Sequence, residues 1–150
     1  MDAFDKKIIQ ILQSEPEIKI HELATRVALS RTPCWRRVKI LEEKGIIARR
    51  AVILNPELLG LLITAFAHVR MKSHEESELE AFELAALSHP NIVECFSMAG
   101  ESDFILRVIV GSISDYELFL KKHLLHMPGV GSVNTSFALK CIKLTTELPV

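Results

Sequence analysis

The side chains of this chain best suited to chemistry are cations gathered in one short stretch. Between positions 31 and 50 stand Arg31, Arg36, Arg37, Lys39, Lys44, Arg49 and Arg50, against only Glu42 and Glu43. The local balance is +5. From Glu22 to Glu42 no acid interrupts, while five basic residues do. Such a density of Lys and Arg suits a phosphate backbone, where each contact releases counterions. An arginine can also bond guanine bidentately in a major groove. A second group is Gly100-Glu101-Ser102-Asp103. Glycine allows close approach to backbone N–H groups, and the Asp103 carboxylate offers an acceptor, so the loop could hold a zwitterion. The plainer alternative is a hairpin turn with a capping Asp. Enzyme chemistry finds little support. His123 and His126 are three apart, more in keeping with a surface or interface than a metal. His21-Glu22 lacks the second histidine of a zinc-protease motif. Cys34, Cys95 and Cys141 have neither zinc nor disulfide spacing. No phosphate loop or nucleophile motif occurs. No catalytic residue, metal ligand or cofactor is therefore expected.

The whole chain hides this cationic stretch. Its 150 residues carry a net charge of −1, with 49% apolar and 25% charged residues. Residues 1–60 hold 11 Lys/Arg and 8 Asp/Glu (+3); residues 61–150 hold 7 and 11 (−4). Binding depends on local charge, so near-neutrality does not exclude a polyanion. The length fits one domain or two small ones. No apolar run is long enough to cross a membrane, and the start, Met1-Asp2-Ala3-Phe4-Asp5, lacks a signal-peptide core. A cytoplasmic location is the expectation.

The elements that must position these groups differ between the two halves. Ile8, Ile11 and Leu12 recur at helical spacing behind Asp2 or Asp5, and Glu15-Pro16 ends that helix. His21–Ala28 is a second short helix with Leu23, Ala24 and Val27 on one face. Ser30 is an N-cap candidate, Pro33 suits the first turn, and the third helix stops near Gly45. An extended stretch over 46–54 follows, broken at Asn55-Pro56. Then come a strand over 61–71, an amphipathic helix over 75–88 with Leu79, Phe82 and Leu87 inward, and strands over 91–99 and 104–110. A helix capped by Ser114 carries Tyr116, Phe119, Leu120 and Leu124. A last strand spans about 130–144, with Val133, Thr135, Phe137, Leu139 and Cys141 on one face. Strand–helix–strand–strand–helix–strand is the ferredoxin-like βαββαβ order. The expected class is α+β: a helix-turn-helix unit over 1–46, strand and linker over 47–61, and a ferredoxin-like domain over 62–150.

Within the first unit, two short helices joined by a tight turn at 28–30 form a helix-turn-helix. On a helical wheel Cys34, Val38 and Leu41 face the core, while Thr32, Arg36, Lys39 and Glu43 face away. A helix so arranged can enter a major groove. Arg36 is the candidate for guanine. Ser30, Arg31 and Thr32 lie where hydroxyls and helix N–H groups meet phosphates. Arg49 and Arg50 suit flanking phosphates. Trp35 suits a phosphate or sugar contact, or partial burial. Arg37, at the edge of the buried face, suits packing or pairing with an acid.

These features together resemble the Lrp/AsnC (feast/famine) transcriptional regulators over the whole length. The matching residues are Asp2/Asp5 before Ile8-Ile9, Glu22-Leu23-Ala24, Leu29-Ser30-Arg31-Thr32-Pro33-Cys34, Arg36-Arg37-Val38 and Leu41-Glu42-Glu43-Lys44-Gly45-Ile46-Ile47. Gly60, Gly100-Glu101-Ser102-Asp103-Phe104-Ile105-Leu106 and Pro128-Gly129-Val130 continue the pattern in order. The resemblance implies a winged helix-turn-helix followed by a ligand-sensing (RAM) domain. It also implies homodimers that assemble into octamers, and an amino acid effector (leucine, methionine or another) between dimers. It places that effector at Gly100, Glu101, Ser102 and Asp103, and Thr135 and Ser136 are further candidates on the last strand. The partner is double-stranded DNA with a palindromic operator, and no membrane. Independently, a four-stranded sheet with helices on one face leaves the other face open for association. The open face is expected to carry Val133, Thr135, Phe137 and Leu139. The rival class is a sirohaem decarboxylase-like enzyme on the same fold, which would present basic residues and histidines around a tetrapyrrole instead of this turn.

Overall fold

The computed structural model describes all residues, Met1–Val150. They form two compact units: residues 1–53 with 142–150, and residues 54–141.

The first unit is built on three helices: α1 (Ala3–Ser14), α2 (Ile20–Arg26) and α3 (Arg31–Glu43). Asp2 and Asp5 close a capping box at α1, each side chain accepting from the other's backbone N–H at 3.0 Å. This satisfies two N–H groups that the helix itself cannot. Ser30 occupies the N-cap position of α3, though its side chain makes no capping bond. Ile8, Leu23, Val27, Cys34, Val38 and Leu41 form the core, each large apolar side chain contributing roughly 1.5–3 kcal/mol. The turn between α2 and α3 places Ala28 at φ +56°, in the left-handed region that L residues rarely occupy. Gly45, at φ +70° just past α3, meets that same need without a Cβ.

The sequence expectation fails in two segments here. Residues 48–55 form no strand, because extended backbone counts as sheet only when another strand pairs with it and this chain supplies none. Val52, Ile53 and Leu54 stand mostly exposed. The last strand, expected to run to about residue 144, ends at Phe137, and residues 142–150 join the first unit. Gln10 Nε2 donates to Val150 O at 2.8 Å, Gln13 Nε2 donates to Leu148 O at 3.2 Å, and Gln13 Oε1 accepts from Leu148 N at 2.6 Å.

The second unit runs β1 (Ile63–Met71), α4 (Glu76–Ser88), β2 (Ile92–Ser97), β3 (Phe104–Val110), α5 (Ile113–Lys122) and β4 (Val130–Phe137). The sheet is antiparallel with order β2-β3-β1-β4, the ferredoxin-like arrangement. Ala65, Ala67, Val69, Leu106, Val108, Phe82, Phe119 and Leu124 fill its core. Alternation puts Thr64, Phe66, His68 and Arg70 on the opposite, helix-free face.

Register corrects the expected open face. Val133, Thr135 and Phe137 pair with Val69, Ala67 and Ala65, so they lie on the helix side. Ser132, Asn134 and Ser136 pair with Arg70, His68 and Phe66 and occupy the open face. A one-residue phase decides which set faces out, and apolar content alone misassigned it. Leu139 and Cys141 lie beyond the strand, which ends at Phe137. Three smaller corrections follow from local geometry. Leu87 is 80% exposed, because Phe82 and Ala86 take the buried face of α4. Ser112, not Ser114, caps α5, its side chain accepting from Asp115 N. Finally, α5 stops at Lys122 and a short 3-10 turn at Leu124–His126 carries Leu124 inward.

Candidate nucleic-acid interface and effector recess

Helix α3 displays its cations unequally. Arg37 Nη1 bonds Asp2 at 2.8 Å and Asp5 at 2.7 Å, and its guanidinium lies 5.4 Å from the Phe4 ring centre. It therefore holds α3 against the start of α1. The hydrogen bonds to Asp5 and Asp2 raise its pKa further. Lys39 Nζ bonds Glu42 at 2.8 Å, which holds the Glu42 carboxyl below its usual range. Arg50 reaches Glu42 at 3.6 Å and donates to Pro16 O at 3.3 Å. Arg31 and Arg36 take part in none of the nine ion pairs and stand exposed, as do Ser30, Thr32 and Arg49. Trp35 is 50% exposed, so half of its ring surface is open on the same helix. One helix thus offers two uncommitted guanidinium groups, hydroxyls and an indole from its first two turns.

In the second unit, the turn before β3 and the open face of β4 meet. Glu101 and Ser102 line a recess of about 640 Å³ together with His68, Arg70, Ser132, Asn134 and Ser136. Four of the six expected effector residues therefore border one hollow: Glu101, Ser102, Thr135 and Ser136. Thr135 contributes only from behind, since its hydroxyl is bonded to the Tyr116 hydroxyl on the helix side. Gly100 lies outside the lining, and a Cβ there would meet nothing within 4 Å.

Asp103, expected as an ammonium acceptor, is bonded within the chain through both carboxylate oxygens. Its Oδ2 accepts from Met71 N at 2.7 Å, and its Oδ1 lies 2.7 Å from His74 Nε2. These two bonds, the first above all, hold its carboxyl below the usual range. Backbone bonds from Asp103 N to Val69 O and from Met98 N to Asp103 O complete the brace. Asp103 thus fixes the loop that presents Glu101 and Ser102.

Sequence reasoning did not single out Arg70, His68, Ser132 and Asn134. Strand alternation carried the signal, but only once β1 and β4 were placed in register. Arg70 and Glu101 are outside every ion pair. The recess therefore has a cation and an anion without ion-pair partners on its border, Arg70 adding only a weaker charge attraction toward the Asp103 carboxylate.

The two units match two family models. Residues 1–48 match a winged helix-turn-helix DNA-binding model, and residues 64–148 match the Lrp/AsnC ligand binding domain. The DNA-binding transcriptional activator DecR of Escherichia coli K12 is 35% identical over 150 residues, covering all of this chain and 99% of DecR. The glutamate uptake regulatory protein of Zymomonas mobilis is 34% identical over the whole chain and 91% of its own length. Among solved structures, an AsnC family transcriptional regulator from Agrobacterium tumefaciens superposes with a TM-score of 0.94 at 39% identity, covering 99% of this chain and 97% of that one. A Neisseria meningitidis transcriptional regulator in complex with L-methionine gives 0.94 at 37%, covering 99% and 96%. These relatives are named as regulators, which sets aside the decarboxylase alternative. The chain is a member of the Lrp/AsnC family of transcriptional regulators, with a winged helix-turn-helix followed by a ligand-binding domain.

Proposed function

We propose that this chain is a sequence-specific DNA-binding regulator acting in the cytoplasm, where its DNA is. A homodimer presents two copies of α3 to a palindromic operator, and dimers assemble into an octamer. An amino acid bound where dimers meet alters that assembly or its grip on DNA. The observation that carries the DNA reading is the unequal spending of charge on α3. Arg37 is committed to Asp2 and Asp5, while Arg31 and Arg36 beside it stay free. Ser30, Arg31, Thr32 and Trp35 approach the backbone, Arg36 reads a base edge, and Arg49 and Arg50 hold flanking phosphates. Lys39 exchanges Glu42 for phosphate.

The open sheet face is divided in a way that suits a two-part role. Phe66, Phe96, Ile105 and Ile109 lie toward β2 and β3 and, around the Arg107–Glu94 ion pair set among them, supply a mixed surface for a second copy. Ser132, Asn134 and Ser136 lie at the β4 side. There the Arg70 guanidinium pairs with an effector's carboxylate and Glu101 with its ammonium. Backbone N–H groups near Gly100 and Ser102 add donors, and Asp103 keeps the loop in place. The methionine seen with the Neisseria relative supports an amino acid as the ligand class.

The test pairs two adjacent arginines. Operators are selected from random duplexes with the full chain, then titrated at several salt concentrations. Arg36→Ala is expected to cost about 1–3 kcal/mol of discrimination at one base position, roughly 5–150-fold. Arg37→Ala is expected to lower the melting temperature and leave base preference unchanged. Unaltered operator selectivity in the folded Arg36→Ala protein overturns the groove assignment.

A further inference from the structure

The recess border also limits which amino acid it can prefer. This step rests on the reading above, that the recess receives the effector. Once Arg70 and Glu101 take the two backbone charges, His68, Ser132, Asn134 and Ser136 are what this chain offers an effector side chain. Their β-strand positions decide this. Ser132, Asn134 and Ser136 are successive alternate residues of β4, set against Arg70, His68 and Phe66 of β1. Val133, the one aliphatic residue on the border, alternates to the other side, where it packs against the core.

An aliphatic side chain gains by leaving water for apolar contact, in proportion to the apolar area covered. Against hydroxyls and a carboxamide it finds little such area, and it shuts those groups off from water without replacing their bonds. A side chain carrying a hydroxyl or carboxamide restores the bonds instead. A second full charge on the ligand finds no further Lys, Arg, Asp or Glu on the border, where hydroxyls and a carboxamide outnumber the single imidazole of His68. The Ser102 hydroxyl, next to Glu101, adds one more neutral donor and acceptor. We propose that the effector is an amino acid with an uncharged, hydrogen-bonding side chain, of the hydroxyl or carboxamide type, and not a branched aliphatic one.

The test uses the full-length chain with each of the twenty common amino acids, by thermal shift and then calorimetric titration. Serine, threonine, asparagine or glutamine is expected to bind at least about tenfold more tightly than leucine, isoleucine, valine or methionine. Arg70→Ala is expected to abolish that binding and so locate it. Should Arg70→Ala fail to fold, Asn134→Leu serves in its place, and is expected to reverse the preference toward aliphatic ligands. Tightest binding by an aliphatic or charged amino acid, lost in Arg70→Ala or altered in Asn134→Leu, overturns this side-chain class and leaves the effector site standing. Binding by no amino acid, or binding indifferent to both substitutions, overturns the effector site and this inference together.

Discussion

The two units set their fixed charges in different places. In the helical unit three of the seven cations between positions 31 and 50 are tied down, Arg37 to Asp2 and Asp5, and Lys39 and Arg50 to Glu42. The other four, Arg31, Arg36, Lys44 and Arg49, enter no ion pair, and Arg31 and Arg36 are the two that stand free on the first two turns of α3. In the α/β unit Arg107 pairs with Glu94 and Lys121 with Glu117, while Asp103, beside the recess, is tied to Met71 N and His74. A rigid duplex of fixed spacing is best met by a stiff surface with selected cations left open. A small zwitterion is best met by an open hollow on a braced loop. In both units a carboxylate gripping a donor holds the backbone from which other residues reach out.

The largest expected effects test whether the two units keep separate cores. Phe82 is fully buried in the α/β unit and stacks 4.6 Å from Phe104. Leu23 is 1% exposed in the helical unit. Phe82→Ala is expected to cost about 3–5 kcal/mol, and Leu23→Ala about 2–5 kcal/mol. Hydrogen exchange, read segment by segment, is expected to show each loss confined to its own unit. Equal loss of protection in both units for either variant would mean a single cooperative core.

This contrast also governs what the sequence made legible. The helical unit rests on short-range signals: Asp2 and Asp5 cap α1, Leu23, Ala24 and Val27 repeat at helical spacing, and Gly45 closes α3. All are readable within a few residues of themselves. The order of elements in the α/β unit was equally plain. Its site was not, because a strand tells which residues alternate and not which set faces the helices. That phase is fixed by the pairing of β4 with β1, more than 60 residues apart. Hence Ser136 was found but Ser132, Asn134 and Arg70 were not. The role of Asp103 was likewise hidden, since its partner Met71 N lies 32 positions away. The extended stretch around Val52 misled for another reason: β-branched residues announce a strand whether or not a partner is present.

A mid-sized effect sharpens the helical side. Ala28 sits at φ +56° with a Cβ that crowds its own carbonyl region. Glycine there removes the strain but gives the unfolded chain more freedom, worth about 0.4–1 kcal/mol. The strain is the larger quantity, so Ala28→Gly is expected to raise stability by about 0.5 kcal/mol. Chemical denaturation measures it. A lower midpoint would show that the turn between α2 and α3 carries no strain.

The smallest expected effect concerns His89, at the end of α4. Its ring packs 4.8 Å from both Phe119 and His123, centre to centre, and its Nδ1 accepts from Asn91 N at 3.3 Å. Burial first, and the neighbouring His123 second, push its pKa below 6.5. The neutral ring is therefore the form the fold prefers. Above pH 6.5 the ring is neutral in the folded and unfolded chain alike, and its contribution is complete. As pH falls below 6.5 the unfolded chain takes up the proton first, so stability declines until the folded ring also protonates. Protonation at Nδ1 would also cancel the bond from Asn91 N, whose residue is held to β3 through Ile109. Denaturant midpoints measured across that window are expected to fall with pH in the native chain and to fall less in His89→Gln. An identical slope in both proteins would assign the decline to other groups, and would leave the junction of α4 and β2 with no part in it.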